Sequence, residues 1–297
     1  MGGHFADNLL EAIEQKGAPV CVGLDPVFER LPAELRRGDD RQARAAAIRE
    51  FCLAVLEAVA PIVPAVKPQS ACFEVYRQEG VAAYFDVVRS ARRLGLLVVG
   101  DVKRGDIGST AEAYAAGHLA GPEAPDAVTV SGYLGADGIR PFVDVCRREG
   151  KGLFVLVRTS NPSAGQVQDF AGPEGGRLYE HMARLVAEAG AGEGLLGRRG
   201  YSCVGAVVGA TWPREARRLR EIMPRQLFLV PGYGAQGATA ADCAAAFKPD
   251  GTGALVNASR SVIYAFQQDR RSGTDWTDAV RQAAEDFARE LRQALGC

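Results

Sequence analysis

Residues 100–110 read Gly-Asp-Val-Lys-Arg-Gly-Asp-Ile-Gly-Ser-Thr and follow Leu-Leu-Val-Val at residues 96–99, an apolar run typical of a buried parallel strand. Side chains alternate between the two faces of a strand, so Asp101 and Lys103 are predicted to point the same way. Asp106 lies just beyond, in a glycine-flanked turn whose backbone is free to turn aside. Charges at the end of a buried strand need partners or a function. A structural ion pair would explain Asp101 and Lys103 alone, but not the basic residues that end other predicted strands.

Short apolar runs alternate with amphipathic helical patterns along the whole chain. Eight such strand–helix units favour a single (β/α)8 TIM barrel, an α/β fold over residues 1–297 with an additional helix at each terminus. An open α/β sheet has the same periodicity and stays open as an alternative. The barrel is favoured because polar residues recur at the C-terminal ends of the strands, where such barrels build active sites. Strands are predicted at 20–24, 62–66, 96–102, 127–131, 153–157, 204–208, 227–230 and 254–257, and helices near 41–60, 70–94, 110–120, 138–149, 176–190, 213–223, 239–247 and 275–295.

The composition argues against several classes of function. A formal net charge of −1 gives no basic field to attract nucleic acid or an anionic membrane, so neither partner is expected. No apolar run approaches the ~18 residues of a membrane span, and residues 1–18 predict an amphipathic helix instead of a signal peptide. Seven scattered cysteines without a Cys-x-x-Cys pair predict reduced thiols and a cytoplasmic location. His4, His118 and His181 end no predicted strand, so neither histidine catalysis nor a histidine metal site is expected.

Lys67 ends the second predicted strand, next to the strand that carries Asp101 and Lys103. A lysine can extend from a barrel rim to solvent without any function. Here, however, Lys67 would complete an alternating Lys–Asp–Lys–Asp array with Asp101, Lys103 and Asp106. Such an array is net neutral, and each charge in it is flanked by opposite charges. The sequence therefore predicts a set of charges that holds a lysine rigidly protonated without water.

Residues 231–237, Pro-Gly-Tyr-Gly-Ala-Gln-Gly, contain Gly-x-Gly-x-x-Gly after a predicted strand. A dinucleotide-binding interpretation is weak, because that fingerprint normally opens the first βαβ unit and this copy lies in the seventh. In a barrel, the loops after strands seven and eight commonly hold phosphate. Glycine amides such as that of Gly234 approach phosphate oxygens closely, and Arg260, at the end of the eighth strand, supplies a planar fork. Together they predict a phosphomonoester site.

Two loops are longer than barrel turns require. Residues 159–176 follow the fifth strand on the predicted catalytic face and are rich in Gly, Pro and Ser, so we interpret them as a candidate lid. Residues 190–202 precede the sixth strand on the opposite face, which favours a structural role. Residues 267–273 are the only linker-like stretch before the last helix, and no second domain or repeat is predicted.

Residues 101–107, Asp-Val-Lys-Arg-Gly-Asp-Ile, resemble the signature of the orotidine 5′-phosphate decarboxylase family. Thr-Ser-Asn-Pro-Ser at 159–163 and the glycine loop at 231–237 resemble its longer bacterial subfamily, type 2. The resemblance runs from Val-Gly-Leu-Asp-Pro at 22–26 to residues 257–261. Asp-x-Lys-x-x-Asp alone is shared with sugar-phosphate enzymes, so the combination of motifs carries the resemblance.

The resemblance implies decarboxylation of orotidine 5′-phosphate to uridine 5′-phosphate, the last step of de novo pyrimidine nucleotide synthesis. No cofactor and no metal are expected, and the partner expected is a second copy of the chain, in a homodimer with shared active sites. Lys67, Asp101 and Lys103 would form the catalytic array, with Asp106 reaching into the neighbouring subunit's site. The implied substrate-binding residues are Asp25 at the ribose, assisted there by Thr110 of the partner subunit, Ser160 and Gln236 at the pyrimidine, and Gly234 and Arg260 at the phosphate. Ser131 is a further candidate, at a position where many shorter members carry histidine. Gly132 replaces an expected proline.

The implied chemistry is electrostatic. Loss of CO2 from C6 of the pyrimidine leaves a carbanion that no adjacent carbonyl delocalises, so stabilisation must come from preorganised charge. Lys103 is the candidate to face that charge and deliver the proton, with Asp101 near the departing carboxylate. One alternative is a magnesium-dependent sugar-phosphate aldolase or decarboxylase, but such relatives use an acid where Lys67 stands, and an ammonium repels a divalent cation. Another is a catalytically silent barrel that binds a nucleotide or a protein. In such a barrel some of the catalytic and binding residues should be replaced, but all of them are present here.

Overall fold

The computed structural model describes residues 3–173, 175–268 and 275–296, and within them eight parallel strands form a closed barrel. The strands pair in sequence order, and β8 pairs with β1, so Val20 lies opposite Val256. This confirms the predicted (β/α)8 barrel and excludes the open sheet. The strands are β1 (Val20–Leu24), β2 (Ala65–Pro68), β3 (Leu97–Arg104), β4 (Ala127–Val130), β5 (Gly152–Arg158), β6 (Ser202–Val208), β7 (Gln226–Pro231) and β8 (Ala254–Ala258).

The longer helices pack around the barrel because each presents buried apolar residues to strands that are buried on both faces. The C-terminal helix, for example, buries Val280, Phe287 and Leu291. The helices are α1 (Phe5–Lys16), α2 (Arg41–Val59), α3 (Ser70–Glu74), α4 (Arg77–Arg93), α5 (Gly108–His118), α6 (Ala136–Glu149), α7 (Gly165–Gln168), α8 (Leu178–Ala189), α9 (Pro213–Ile222), α10 (Ala240–Ala244), α11 (Arg260–Ile263) and α12 (Trp276–Leu295). None of the helices in the described ranges is long and apolar enough to cross a membrane.

The predicted helix over 70–94 was wrong as a single element, because it is divided into α3 and α4. Arg77, the first residue of α4, has a φ of +53°, so the helical backbone is not continuous from α3 into α4. At Gly80, a Cβ would lie 1.8 Å from the carbonyl oxygen of Phe73, so glycine is required for α4 to pack this closely against α3. Helical periodicity continues through the break, and it therefore gave no sign of the break.

Other boundaries also differ from the prediction. β2 begins at Ala65 instead of residue 62, because Ile62 and Val63 form a turn whose N–H groups donate to Val59 at 2.9 and 3.1 Å. β3 extends to Arg104 and therefore includes Lys103. The helix predicted over 239–247 ends as an α-helix at Ala244.

The two long loops lie on the predicted ends of the barrel. Residues 159–176 are not wholly irregular, since they contain a 3-10 turn at Pro162–Ala164 and the short helix α7. Residues 190–202 lead into the N-terminal end of β6, where the N–H groups of Arg198 and Arg199 donate to Asp7 of α1 at 2.9 and 3.0 Å. Of the predicted linker at 267–273, residues 269–273 lie outside the described residues.

Candidate active site

A cavity of about 390 Å³ opens at the C-terminal ends of the strands, which is where barrel enzymes build their sites. Residues from all eight strands or the loops after them line it. The predicted site residues that line it are Asp25, Lys67, Asp101, Lys103, Ser160, Gln236 and Arg260.

The Asp101 carboxylate is the centre of the charged part of the cavity. Its Oδ2 accepts from Lys67 Nζ at 2.5 Å and from Gln69 Nε2 at 3.0 Å. Its Oδ1 accepts from Lys103 Nζ at 2.5 Å and from the Thr129 hydroxyl at 2.9 Å. Four donors therefore fix both oxygens of one buried carboxylate. The two lysines were predicted from the sequence, whereas Gln69 and Thr129 were not.

Burial and neighbouring charges shift the pKa values of Asp101 and Lys67 in opposite directions. Burial alone would raise the pKa of Asp101, but the Lys67 and Lys103 ammonium groups outweigh it and hold that pKa well below its usual range. Burial would likewise lower the pKa of Lys67, but the carboxylates of Asp101 and then Asp25 raise it above its ordinary value. Asp101 and Lys67 are therefore both ionised at neutral pH.

The two lysines differ in their access to the cavity. The Lys67 side chain is 6% exposed, whereas that of Lys103 is 45% exposed. Lys103 also has a φ of +46°, in the left-handed region that L-residues rarely adopt. Strained backbone of this kind concentrates at functional sites. Both lysines line the cavity, and Lys103 is the more accessible of the two.

Four predicted site residues lie outside the cavity lining of their own chain. Asp106 is half-buried, and its Oδ1 accepts from the N–H of Ile107 at 2.8 Å. Thr110 is exposed in the first turn of α5. Ser131 follows β4, where its N–H donates to the carbonyl of Arg104 at 2.8 Å. Gly234 lies in the loop after β7, whose neighbouring residues do line the cavity.

The loop after β7 needs its glycines for its shape. Gly232, Gly234 and Gly237 have φ values of +118°, +69° and +90°, all in the region that favours glycine. The loop brings Gln236 to the cavity, and the neighbouring Arg260 opens α11 with an exposed side chain. An exposed guanidinium beside this loop is chemically suited to a phosphate.

Unpartnered polar atoms also line the cavity. Asp25 Oδ1, Asn257 Oδ1 and Ser259 Oγ are buried and have no hydrogen-bond partner among the residues that the structure describes, and all three residues line the cavity. Buried polar groups are normally hydrogen-bonded, so these atoms indicate a polar ligand. Gly23 leaves room for them, because a Cβ there would lie 2.8 Å from Cβ of Ser259. Residues 257–261 belonged to the family resemblance, but nothing in the sequence singled out Asn257 or Ser259.

The loop after β5 is anchored by a buried arginine. Arg158 is fully buried, and its Nη1 lies 3.1 Å from Asp169 Oδ1 in that loop. The guanidinium also lies 4.0 Å from the centre of the Trp212 ring, whose Nε1 donates to the carbonyl of Thr159 at 2.9 Å. These contacts hold the start of the loop, where Ser160 lines the cavity. Within the described parts of the chain, no group of three His, Cys, Asp or Glu side chains could hold a metal ion.

Comparison with known proteins agrees with this geometry. Residues 18–271 match the model of the family described as Orotidine 5′-phosphate decarboxylase / HUMPS family. The chain belongs to this family. The predicted resemblance to orotidine 5′-phosphate decarboxylases is thereby confirmed.

Relatives in this family match almost end to end. The orotidine 5′-phosphate decarboxylase of Rhodopirellula baltica is 44% identical over 301 residues, covering 97% of this chain and 99% of its own. That of Deinococcus radiodurans is 44% identical over 292 residues, covering 98% of each chain. The solved structure of Leishmania donovani OMP decarboxylase superposes with a TM-score of 0.77 at 32% identity, covering 99% of each chain.

Proposed function

We propose that this chain decarboxylates orotidine 5′-phosphate to uridine 5′-phosphate, as an enzyme of de novo pyrimidine nucleotide synthesis. The proposal is supported by relatives of that name that are 44% identical over nearly the whole chain. The observation that carries it is the contact of two ammonium groups with one buried carboxylate at the cavity, with Lys67 and Lys103 each 2.5 Å from Asp101.

The proposed chemistry uses charge that is in place before the substrate arrives. The bond from C6 to the carboxylate breaks, CO2 leaves, and the electron pair stays on C6. Lys103 would stabilise that carbanion and donate a proton from Nζ to C6. Asp101 and Lys67 would fix the Lys103 ammonium, so that little reorganisation is needed in the transition state. Lys103 would then regain its proton from solvent.

The remaining cavity residues would hold the nucleotide. A volume of about 390 Å³ lies in the range of small-molecule sites. Arg260 and the loop at 231–237 would bind the phosphate, and Asp25 the ribose hydroxyls. Ser160 and Gln236 would contact the pyrimidine. Binding energy from the phosphate, which does not react, would then help to close the site in the transition state.

The magnesium-dependent alternative places a divalent cation among carboxylates, and at this site the Lys67 and Lys103 ammonium groups already occupy the carboxylate oxygens of Asp101. The decisive assay follows the absorbance loss of orotidine 5′-phosphate in the presence of EDTA. We expect undiminished turnover. Activity that disappears with the chelator and returns with magnesium would support the sugar-phosphate class instead, and no turnover under any condition would support a silent barrel.

We also propose a homodimer with shared active sites. Asp106 and Thr110 lie outside the cavity of their own chain. The apolar side chains of Ile107, next to Asp106, and of Tyr133 and Leu134 are exposed, and Gly138 packs against both Asp106 and Leu134. Exposed apolar groups beside functional residues favour an interface at this surface. The six described cysteines are free thiols, which supports the proposed cytoplasmic location.

A further inference from the structure

Thr129 contacts both members of the ion pair between Asp101 and Lys103. It lies on β4 and is 1% exposed. Its hydroxyl donates to Asp101 Oδ1 at 2.9 Å and accepts from the backbone N–H of Lys103 at 3.1 Å. One buried hydroxyl therefore connects the carboxylate to the main chain of the residue that carries the cavity-facing ammonium.

The Lys103 N–H needs this acceptor because the strand pairing is irregular here. The register between β3 and β4 shifts between Gly100 and Arg104, so Lys103 has no residue directly opposite it in β4. Lys103 also has a φ of +46°, a conformation that is strained for an L-residue. A conformation of this kind persists only where the surroundings fix it. The Thr129 hydroxyl is one such constraint.

We infer that Thr129 is a positioning residue that holds Lys103 in its left-handed backbone conformation and so directs the ammonium to Asp101 and the cavity. The inference rests on the function proposed above. Without the hydroxyl, the Lys103 N–H loses its acceptor, and Asp101 Oδ1 loses one of its two donors. The lysine backbone then relaxes towards negative φ, which turns its side chain away from the productive direction.

The arrangement also explains why a hydroxyl is needed on this strand. Val128 and Val130 flank Thr129 and are buried. Valine matches threonine in shape and suits a buried strand, so packing alone would be satisfied by valine at 129. The hydroxyl adds only its two hydrogen bonds, one to the Asp101 carboxylate and one from the Lys103 N–H.

The test compares Thr129→Val, which keeps the shape and removes both hydrogen bonds, with Thr129→Ser, which keeps the hydroxyl. We expect kcat of the valine variant to fall by about 10²-fold, the effect of a small misplacement of a reacting group. Its dissociation constant for uridine 5′-phosphate should change by less than about threefold, because the phosphate contacts are intact. The serine variant should retain kcat within about threefold of the parent.

A second measurement does not depend on activity. Crystal structures of both variants should show Lys103 at positive φ in the serine variant and at negative φ in the valine variant. If the valine variant does not fold, Thr129→Cys replaces it, since a thiol is a weak donor and acceptor.

Three results would overturn the inference: an unchanged kcat in the valine variant, a serine variant as slow as the valine variant, or a Lys103 backbone at positive φ without the hydroxyl. An inactive parent enzyme would instead overturn the proposed function. The backbone angle would still decide the role of Thr129 in that case.

Discussion

Lys67 Nζ lies 2.5 Å from Asp101 Oδ2, and the two side chains are only 6% and 8% exposed. A buried ion pair of this kind is weak evidence for stability, because desolvation of both charges offsets their attraction. Removing one partner is strongly destabilising, however, because it leaves the other charge buried and uncompensated. The pair therefore links the chemistry of the cavity to the pH dependence of folding.

The first prediction concerns acid stability. The pKa of Asp101 is lower in the folded chain than in the unfolded chain, so its contribution is complete above about pH 4 and is lost as the pH falls towards the folded value. The pKa of Lys67 is raised in the folded chain, so its contribution to stability has the opposite pH dependence. That contribution is complete below about pH 10 and is lost in strong base. In denaturant unfolding from pH 7 to pH 3, the stability advantage of the wild type over Asp101→Asn should shrink with acid. A constant difference would contradict this linkage.

The second prediction separates chemistry from binding. Lys103→Ala should abolish turnover, because the proposed contact matters mainly in the transition state. Binding of uridine 5′-phosphate should persist, because the loop at 231–237 and Arg260 are unaffected. Single-turnover kinetics and calorimetric titration measure the two effects. Near-native turnover in this variant would exclude Lys103 as the proton donor.

The third prediction concerns the phosphate. Arg260→Ala should lose a charge-assisted contact of about 1.5–3 kcal/mol, which weakens uridine 5′-phosphate roughly tenfold or more. The matched control is Arg198→Ala, an exposed arginine before β6 at the opposite end of the barrel, which should leave affinity unchanged. Calorimetric titration with the nucleotide measures both variants. Equal affinity in the two would show that Arg260 is not a phosphate ligand.

The fourth prediction tests the shared site by subunit exchange between Lys103→Ala and Asp106→Ala, both expected to be inactive. A two-fold contact is reciprocal, so a mixed dimer has one site with both lesions and one with neither. With random pairing, about half of the dimers are mixed, and roughly a quarter of all sites regain activity.

The matched control for this exchange mixes Lys103→Ala with Asp101→Asn. Both of these residues serve their own chain's cavity, so no site in the mixture is intact. Verified exchange that restores no activity with Asp106→Ala would show that Asp106 does not act across the interface.

The fifth prediction concerns the anchor of the β5 loop. Asp169→Ala leaves the fully buried Arg158 guanidinium without its carboxylate, which should lower the free energy of unfolding by about 1.5–3 kcal/mol. The control is Asp286→Ala, which removes an exposed pair with Arg289 on α12 and should change stability by less than about 0.5 kcal/mol. Denaturant titration compares them. Equal losses of unfolding free energy in the two variants would mean that the ion pair of Arg158 with Asp169 does not stabilise the fold.

The charged part of the site was predictable because charges at buried strand ends are costly and therefore conspicuous in a sequence. Lys67, Asp101 and Lys103 were predicted in this way, and they meet as expected. Thr129 could not be found by the same reasoning, since threonine is common in strands and only the fold shows what its hydroxyl touches. Gln69 was missed for a related reason, because its amide carries no charge.

The barrel was likewise predictable from polar residues that recur at strand ends, whereas the division between α3 and α4 was not. That division depends on Gly80 lying against the carbonyl of Phe73, a tertiary contact that leaves no trace in periodicity. Asn257 and Ser259 were also not predictable, because their unpartnered atoms become informative only in the folded cavity.

The left-handed backbone at Lys103 has a consequence for anyone who engineers this protein for heat resistance. Glycine adopts a positive φ without strain, so a design rule that places glycine at such positions would, in the described chain, select Arg77 and Lys103. At Arg77 the exchange would relieve strain between α3 and α4 at no cost to the cavity. At Lys103 the same exchange would relax the backbone and remove the ammonium beside Asp101. Under the proposed function, position 103 is therefore one where turnover and stability make opposite demands, and thermostabilisation would leave this lysine unchanged.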